Sequence, residues 1–380
     1  MDHPFWKQAF LLSENEDLKT LKSCGVQEVW IDTDKGLDVA TEAVLSTPSE
    51  AKKAVEDELS KIAADPQTLP QIPLHEELES ARRLQAKSRA AVTSMFQEAR
   101  MGNAIKVSDA APLVDEISQS ISRNPEAFLN LARLKTKDDY TYMHSVAVCA
   151  LMIALGKQLG LNGTELKTAG LAGLLHDVGK MTIRDDILNK PGKLTDEEFD
   201  IIKQHPSKGW ELLQDSSEIS SAVLDVCLHH HERVDGTGYP DRISGETLSL
   251  FARMGAVCDV YDALTSNRCY KNGWEPAETI RKMAEWRNGH FDERIFQAFV
   301  KTIGIYPSGT LVRLKSGKLA IVIEQTGKSL LTPIVKAFFS TKSNEPIMPE
   351  MIDLSRSQES IVSAEDPAKW GFDLKQVTGF

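Results

Sequence analysis

Residues 170–180 read GLAGLLHDVGK, an apolar helical run that closes on His176, Asp177 and Lys180. Small and aliphatic residues on all sides require burial, so this helix delivers an imidazole and a carboxylate into the interior. Asp177 and Lys180 stand three apart and His176 and Lys180 four apart, spacings that aim all three at one cavity. A single His-Asp pair carries little information by itself. The chain around it supplies the rest, because six of the nine histidines fall between residues 144 and 231.

His144 lies in residues 138–155, DDYTYMHSVAVCALMIAL, where a lone histidine is more often a hydrogen-bonded core residue than a ligand. His205, in IIKQHPSKGW, reads as a residue late in its helix, where an imidazole complements the helix dipole. His230 and His231 are adjacent, so on a helix they point about 100° apart and reach different ions. His229 before them reads as a surface or supporting group. Asp259 and Asp262 share one face of MGAVCDVYDALTS, and a carboxylate in so apolar a helix is costly unless paired or metal-bound. Several helices thus each place metal-type ligands on an inward face. Imidazole with carboxylate suits iron, manganese or zinc, and the lack of cysteine pairs points to more than one ion rather than a structural zinc. Two adjacent ions are best suited to hydrolysing a phosphate ester.

Bulk properties bound this reading. At 380 residues the chain exceeds one ordinary core, so two or three domains are expected. A net charge of −11 excludes a general nucleic-acid-backbone binder, while metals and local cations still admit a small anionic ligand. No apolar run reaches membrane-spanning length, and MDHPFWKQAF lacks a signal-peptide layout. Cys24, Cys149, Cys227, Cys258 and Cys269 show no CxxC spacing, which suits reduced thiols and a cytoplasmic location.

The fold is expected to be mainly α. Residues 1–75 read as a small α/β domain and linker, with a helix in DLKTLKSCG, a strand in VQEVWIDT and three prolines in ADPQTLPQIP. Residues 76–110 read as a connecting helix, and 111–304 as an all-helical body. Ser108 is expected to cap one helix, Pro125 to open another, and Thr195 with Glu198 to form a capping box. A Gly/Pro loop, RVDGTGYPDRISGE, interrupts the helices. Residues 305–380 alternate and carry Ser-Gly and Thr-Gly turns, so short antiparallel strands are expected to cover the core.

The words YTYMHS, LLHDVGK, QHPSKG, HHHERVDGTGYP and DVYDALTSNRCYK, in this order, resemble the HD-GYP family of the HD superfamily. That resemblance implies a bacterial, metal-dependent phosphodiesterase that cleaves cyclic di-GMP, built on an HD-type helical bundle. It implies metal ligands at His144, His176, Asp177, His205, His230, His231 and Asp259, with Asp177 bridging two divalent ions, iron or manganese. Substrate contacts carry over to Lys180, to the signature Gly238-Tyr239-Pro240, and to Arg268 and Lys271. Some members hold a third metal with a glutamate four residues before the first histidine. Tyr140 stands there, which implies two metals. The residues ahead of the body resemble the uncharacterised domain that often precedes such modules, and MDHPFW resembles an internal stretch of it, so a late start is expected.

The expected reaction is hydrolysis of cyclic di-GMP to pGpG, with GMP as a further product, by a hydroxide that two metals activate. Asp177 and Lys180 are the catalytic candidates, with Lys180 as a charge clamp. The first alternative is a receptor that binds the dinucleotide without turnover. A mononucleotide or (p)ppGpp hydrolase accounts for His176-Asp177 but not for the GYP signature. A protein partner for the amino-terminal domain is an expectation from position alone, and the sequence leaves oligomerisation open.

Overall fold

Apolar residues recur at helical spacing through most of the chain, and helices form wherever that spacing persists. The computed structural model describes residues 48–63, 72–133, 140–190, 192–216, 218–266, 273–326 and 329–372. The helix and strand expected between residues 17 and 33, most of the linker, Arg268 and Lys271 lie outside these. Two units divide the chain, Met1–Asp57 and Glu58–Phe380. The described residues of the first belong to α1 (Pro48–Ala63), which runs on into the second.

Within the second unit, α2 (Leu74–Arg100) is 27 residues long, about 40 Å at 1.5 Å per residue. One stripe of it is buried, including Ala81, Leu84, Val92 and Phe96, which is how a helix lies along a core. Helix α3 (Val107–Arg123) follows, and Ser108 lies inside its first turn rather than at its cap, which is Lys106. Burial of Ala110, Leu113, Val114 and Ile117 sets where this helix lies, so the expected serine cap is overridden by packing. Pro125 does open α4 (Pro125–Arg133), and the Asn124 side chain accepts from the amides of Glu126 and Ala127.

The centre of the bundle is α5 (Tyr140–Gln158), buried on every face from Met143 to Gly156. Across it lies α6 (Gly163–Leu175), whose Gly173 allows backbone approach: a Cβ there would sit 2.8 Å from Cys149 Cα. After a 3-10 turn at Val178–Thr182 come α7 (Asp185–Leu188), α8 (Asp196–Ile202), α9 (His205–Leu213) and α10 (Ser221–His229). The capping box of Thr195 and Glu198 opens α8 as expected. The Gly/Pro loop leads to α11 (Leu250–Thr265), α12 (Pro276–His290) and α13 (Glu293–Ile303).

Strands β1 (Leu311–Leu314), β2 (Lys318–Glu324), β3 (Ile334–Ser340), β4 (Glu345–Asp353) and β5 (Ile361–Ala364) form one antiparallel sheet, ordered β4-β3-β2-β1-β5. Alternation buries both faces. Val312, Leu314, Ala320 and Val322 lie in one apolar cluster, and Leu311, Leu319 and Ile321 in the other. A short helix, α14 (Pro367–Trp370), brings Trp370 onto the second cluster.

The sheet meets the helices at Glu126 of α4. Its carboxylate accepts from the Ser308 hydroxyl and, at 2.6 Å, from the Gln325 amide. Burial pushes the Glu126 carboxyl up to about 7, against the opposing effect of these hydrogen bonds. A folded pKa above the unfolded one means the native state binds the extra proton, so stability falls as pH rises from about 4.5 to about 7. Glu126→Gln removes this titration. Melting temperatures of the two proteins from pH 5 to pH 8 are expected to converge at the acid end and diverge above neutrality, the variant being the more stable. Parallel curves would refute the assignment.

Candidate metal centre

Five separate elements place the candidate ligands. His144 projects from the first turns of α5, and Asp259 from the middle of α11. His176 caps the C-terminal end of α6, followed at once by Asp177, so the apolar run ends where the ligands are needed. His230 caps α10, and His231 lies one residue further, in the turn. The sequence placed His205 late in a helix, but it opens α9, because α8 stops at Ile202 and Pro206 occupies the first turn of the next helix. Proline suits that position because the first-turn N–H groups have no helical acceptor.

These elements meet closely. Gly179 packs against the start of α9, where a Cβ would lie 2.0 Å from the His205 carbonyl oxygen and 2.4 Å from Gly209 N. This glycine is what lets His205 approach Asp177.

The seven expected ligands converge. Asp177 sits between two groups, one on each carboxylate oxygen. Its Oδ2 lies 3.3 Å from His144 Nε2 and 3.4 Å from His176 Nε2. Its Oδ1 lies 3.2 Å from His205 Nε2 and 3.8 Å from His230 Nε2. Asp259 Oδ1 is 2.9 Å from His144 Nε2, and Asp259 Oδ2 is 3.8 Å from His231 Nδ1. Ligand atoms of His144, His176 and Asp259 all fall within 4.8 Å of one another, as do those of His205, His230 and His231.

The donor set fits cations. Nδ1 of His176, of His205 and of His230 each faces a backbone carbonyl, at 2.8 Å from Gly173, 2.7 Å from Ile202 and 3.0 Å from Val226. Those contacts assign the proton to Nδ1 and leave Nε2 as a lone pair facing inward. His205 Nε2 and His230 Nε2 then oppose each other at 3.1 Å, two acceptors that only a shared cation or proton reconciles. His144 Nε2, His176 Nε2 and Asp177 Oδ1 are buried without a hydrogen-bond partner.

Electrostatics agrees. Burial, then the neighbouring imidazoles of His176 and His205, depresses His230 to about 3, and burial also lowers His205 and His231. Burial opposes ionisation of Asp177 and Asp259, yet Lys180 and the histidines hold the former, and the histidines the latter, well below the usual carboxylate range. His144 differs: against the opposing effect of burial, three carboxylates raise it to about 10. Lys180 Nζ donates to Asp177 Oδ2 at 2.5 Å, so the lysine sits on the carboxylate that faces both groups of histidines.

Three residues absent from the expected site support it. Asp262 accepts from His144 Nδ1 at 2.6 Å and fixes that ring. Its spacing from Asp259 was visible in the sequence, but its partner lies 118 residues away. Asp262→Asn is expected to weaken metal binding by about 10- to 100-fold, measured by titration of the metal-free protein. An unaltered affinity would remove Asp262 from the site. Glu232, buried beside His231, accepts from the amides of Asp241 and Arg242 at 2.7 and 2.8 Å and anchors the loop that follows. His290 lies near Asp259, and burial, then Arg233, holds its imidazole at about 3, hence neutral.

That loop carries Gly238, Tyr239 and Pro240. A Cβ on Gly238 would lie 2.4 Å from Glu232 Cα, so only glycine lets the loop fold back on residues 231–233. Tyr239 then stacks on the His231 ring, centroids 4.7 Å apart. His231 is 23% exposed while His144, His176, Asp177, His205, His230 and Asp259 lie at 7% or below, so the centre opens to solvent at His231 and Tyr239. Tyr140 stacks on His144, centroids 5.6 Å apart. His229 points elsewhere, bound to Asp225 and Asp241 at 2.7 and 3.1 Å.

A helical body that gathers imidazoles and carboxylates around a buried His-Asp pair points to the HD class of metal-dependent hydrolases. Residues 113–295 match the HD domain family model, and residues 1–110 match the domain of unknown function DUF3391. The chain is 54% identical to cyclic di-GMP phosphodiesterase PA4108 of Pseudomonas aeruginosa, over 98% of this chain and 88% of that protein. It is 36% identical to the cyclic di-GMP phosphodiesterase response regulator RpfG of Xanthomonas campestris, over 56% of this chain and 58% of that one. It is also 37% identical to 3'3'-cGAMP-specific phosphodiesterase 1 of Vibrio cholerae, over 43% of this chain and 38% of that protein. The chain belongs to the HD-GYP family of phosphodiesterases, preceded by the DUF3391 domain. Among the described residues, no helix is long and apolar enough to cross a membrane.

Proposed function

We propose that this protein hydrolyses cyclic di-GMP to linear pGpG, and onward to GMP, at a centre of two divalent ions, iron or manganese, in bacterial second-messenger signalling. The observation that carries this is Asp177, whose two oxygens each face a separate set of imidazoles. His144, His176 and Asp259 would hold one ion and His205, His230 and His231 the other, with Asp177 between them. Bound there, such ions neutralise a phosphodiester and bring the pKa of water towards neutrality. The protein's own groups do the rest. The carbonyl-bound imidazoles keep their lone pairs fixed, and buried walls exclude bulk solvent. Lys180 adds positive charge beside the reacting phosphate. Tyr239 offers an aromatic face to guanine at the open side of the centre. Arg268 and Lys271 are assigned to the substrate by resemblance alone.

The domain plan proposed with it is an amino-terminal α/β domain and linker over 1–75, a connecting helix over 76–110, the catalytic body over 111–304 and a β-rich extension over 305–380. A protein partner for the first of these, and a cytoplasmic location, remain proposals from sequence.

Protein purified without oxygen, loaded with iron or with manganese and incubated with cyclic di-GMP, is expected to release pGpG on chromatography. Tight binding of cyclic di-GMP with no linear product under either metal would favour a receptor instead. Faster cleavage of 3'3'-cGAMP or (p)ppGpp would move the assignment within the superfamily.

A further inference from the structure

We propose that Arg233 forms a second anion subsite at the open rim of the metal centre, taking the phosphodiester of the cyclic dinucleotide that is not being cut. This rests on the substrate reading above and adds a specificity-determining residue to it.

Position comes first. His231 is the ligand through which the centre reaches solvent, and Arg233 follows two residues later, itself 29% exposed. The same short segment is held on both sides. Tyr239 N donates to the His231 carbonyl, while Val234 N and Asp235 N donate to His290 and Gly289 at the end of α12. The Arg233 backbone is therefore pinned between a metal ligand and a helix terminus, and its side chain has a fixed root.

The guanidinium itself is under-used. Arg233 Nε is buried without a hydrogen-bond partner. Asp235 Oδ1, at 3.9 Å, is too far to accept from it and already accepts from Thr237 N and Thr237 Oγ1 at 2.9 and 2.6 Å. The guanidinium thus has no carboxylate within hydrogen-bonding distance among these contacts, and its exposed part is a charged donor that an anionic ligand can engage.

The ligand chemistry matches. A cyclic dinucleotide carries two phosphodiesters on one rigid ring, and ions at the centre serve the scissile one only. The other keeps its charge in a protein of net charge −11, where a local cation must offset repulsion. A forked guanidinium is suited to a phosphate.

The test compares two substrates on metal-loaded full-length protein: cyclic di-GMP, and bis(p-nitrophenyl) phosphate, which has one phosphodiester. For Arg233→Met, KM for cyclic di-GMP is expected to rise at least about tenfold more than KM for the simple diester, as loss of a charged hydrogen bond implies. Arg233→Lys is expected to recover part of the difference. Metal content and melting temperature are measured on each variant, because a merely structural role would lower these and both activities together. Equal losses on the two substrates, or loss of metal, overturn the subsite. Wild-type protein that cleaves the simple diester but not cyclic di-GMP overturns the substrate reading, and the subsite with it.

Discussion

Asp177→Asn protein is expected to fold, to lose half or more of its bound metal, and to lose activity by roughly a thousandfold or more. Asparagine has almost the shape of aspartate, so α6 and the 3-10 turn keep their packing. It has one oxygen, however, and its amide nitrogen carries two protons. One ligand group, either His144 with His176 or His205 with His230, would then face N–H donors where it now faces a carboxylate oxygen at 3.2–3.8 Å. No rotamer of the amide serves both sides. Elemental analysis with a turnover assay checks this, and circular dichroism confirms the fold. A variant that kept its metal and its rate would end the bridging assignment.

Gly179→Ala is expected to lower stability by about 3 kcal/mol and to impair metal binding as well. The added methyl would stand 2.0 Å from the His205 carbonyl oxygen, 2.4 Å from Gly209 N and 2.9 Å from Gly209 Cα. All three are backbone atoms of α9, so no side chain can swing away and the helix itself must shift. That helix begins with His205, whose Nε2 is 3.2 Å from Asp177. A shift of about 1 Å at a catalytic geometry costs on the order of 100-fold in rate. The control is Gly102→Ala, at a positive φ of 82° with open space around it. It carries backbone strain of about 1–2 kcal/mol but leaves His205 in place, so it should destabilise without losing metal. Calorimetry and metal analysis of both variants separate the effects. Equal metal retention in the two would show that α9 tolerates displacement.

Much of the centre was legible beforehand because ligand chemistry is written in residue type. His144 and Asp259 lie in otherwise apolar helices, and burying a polar group there needs a reason. The supporting residues were not legible in the same way. Asp262 differs from a core carboxylate only in having His144 opposite it, and that depends on how α11 crosses α5. Glu232 reads as one more charge in HHHER until the loop's amides are seen to turn onto it. His205 was misplaced within its helix because a break at Lys203 and Gln204 has no glycine to announce it. Ser108 was misread as a cap because local preference yields to the burial of Leu113, Val114 and Ile117.

Helical periodicity and alternation, properties of near neighbours, set out the bundle and the carboxyl-terminal sheet from sequence alone, and the family resemblance implied the seven candidate ligands. Pairing across distance was decided only by the folded chain: which oxygen of Asp177 meets which imidazole, what steadies His144, and where the centre opens. Those depend on contacts between residues far apart in sequence, made possible at Gly173, Gly179 and Gly238 by the absence of a single methyl group.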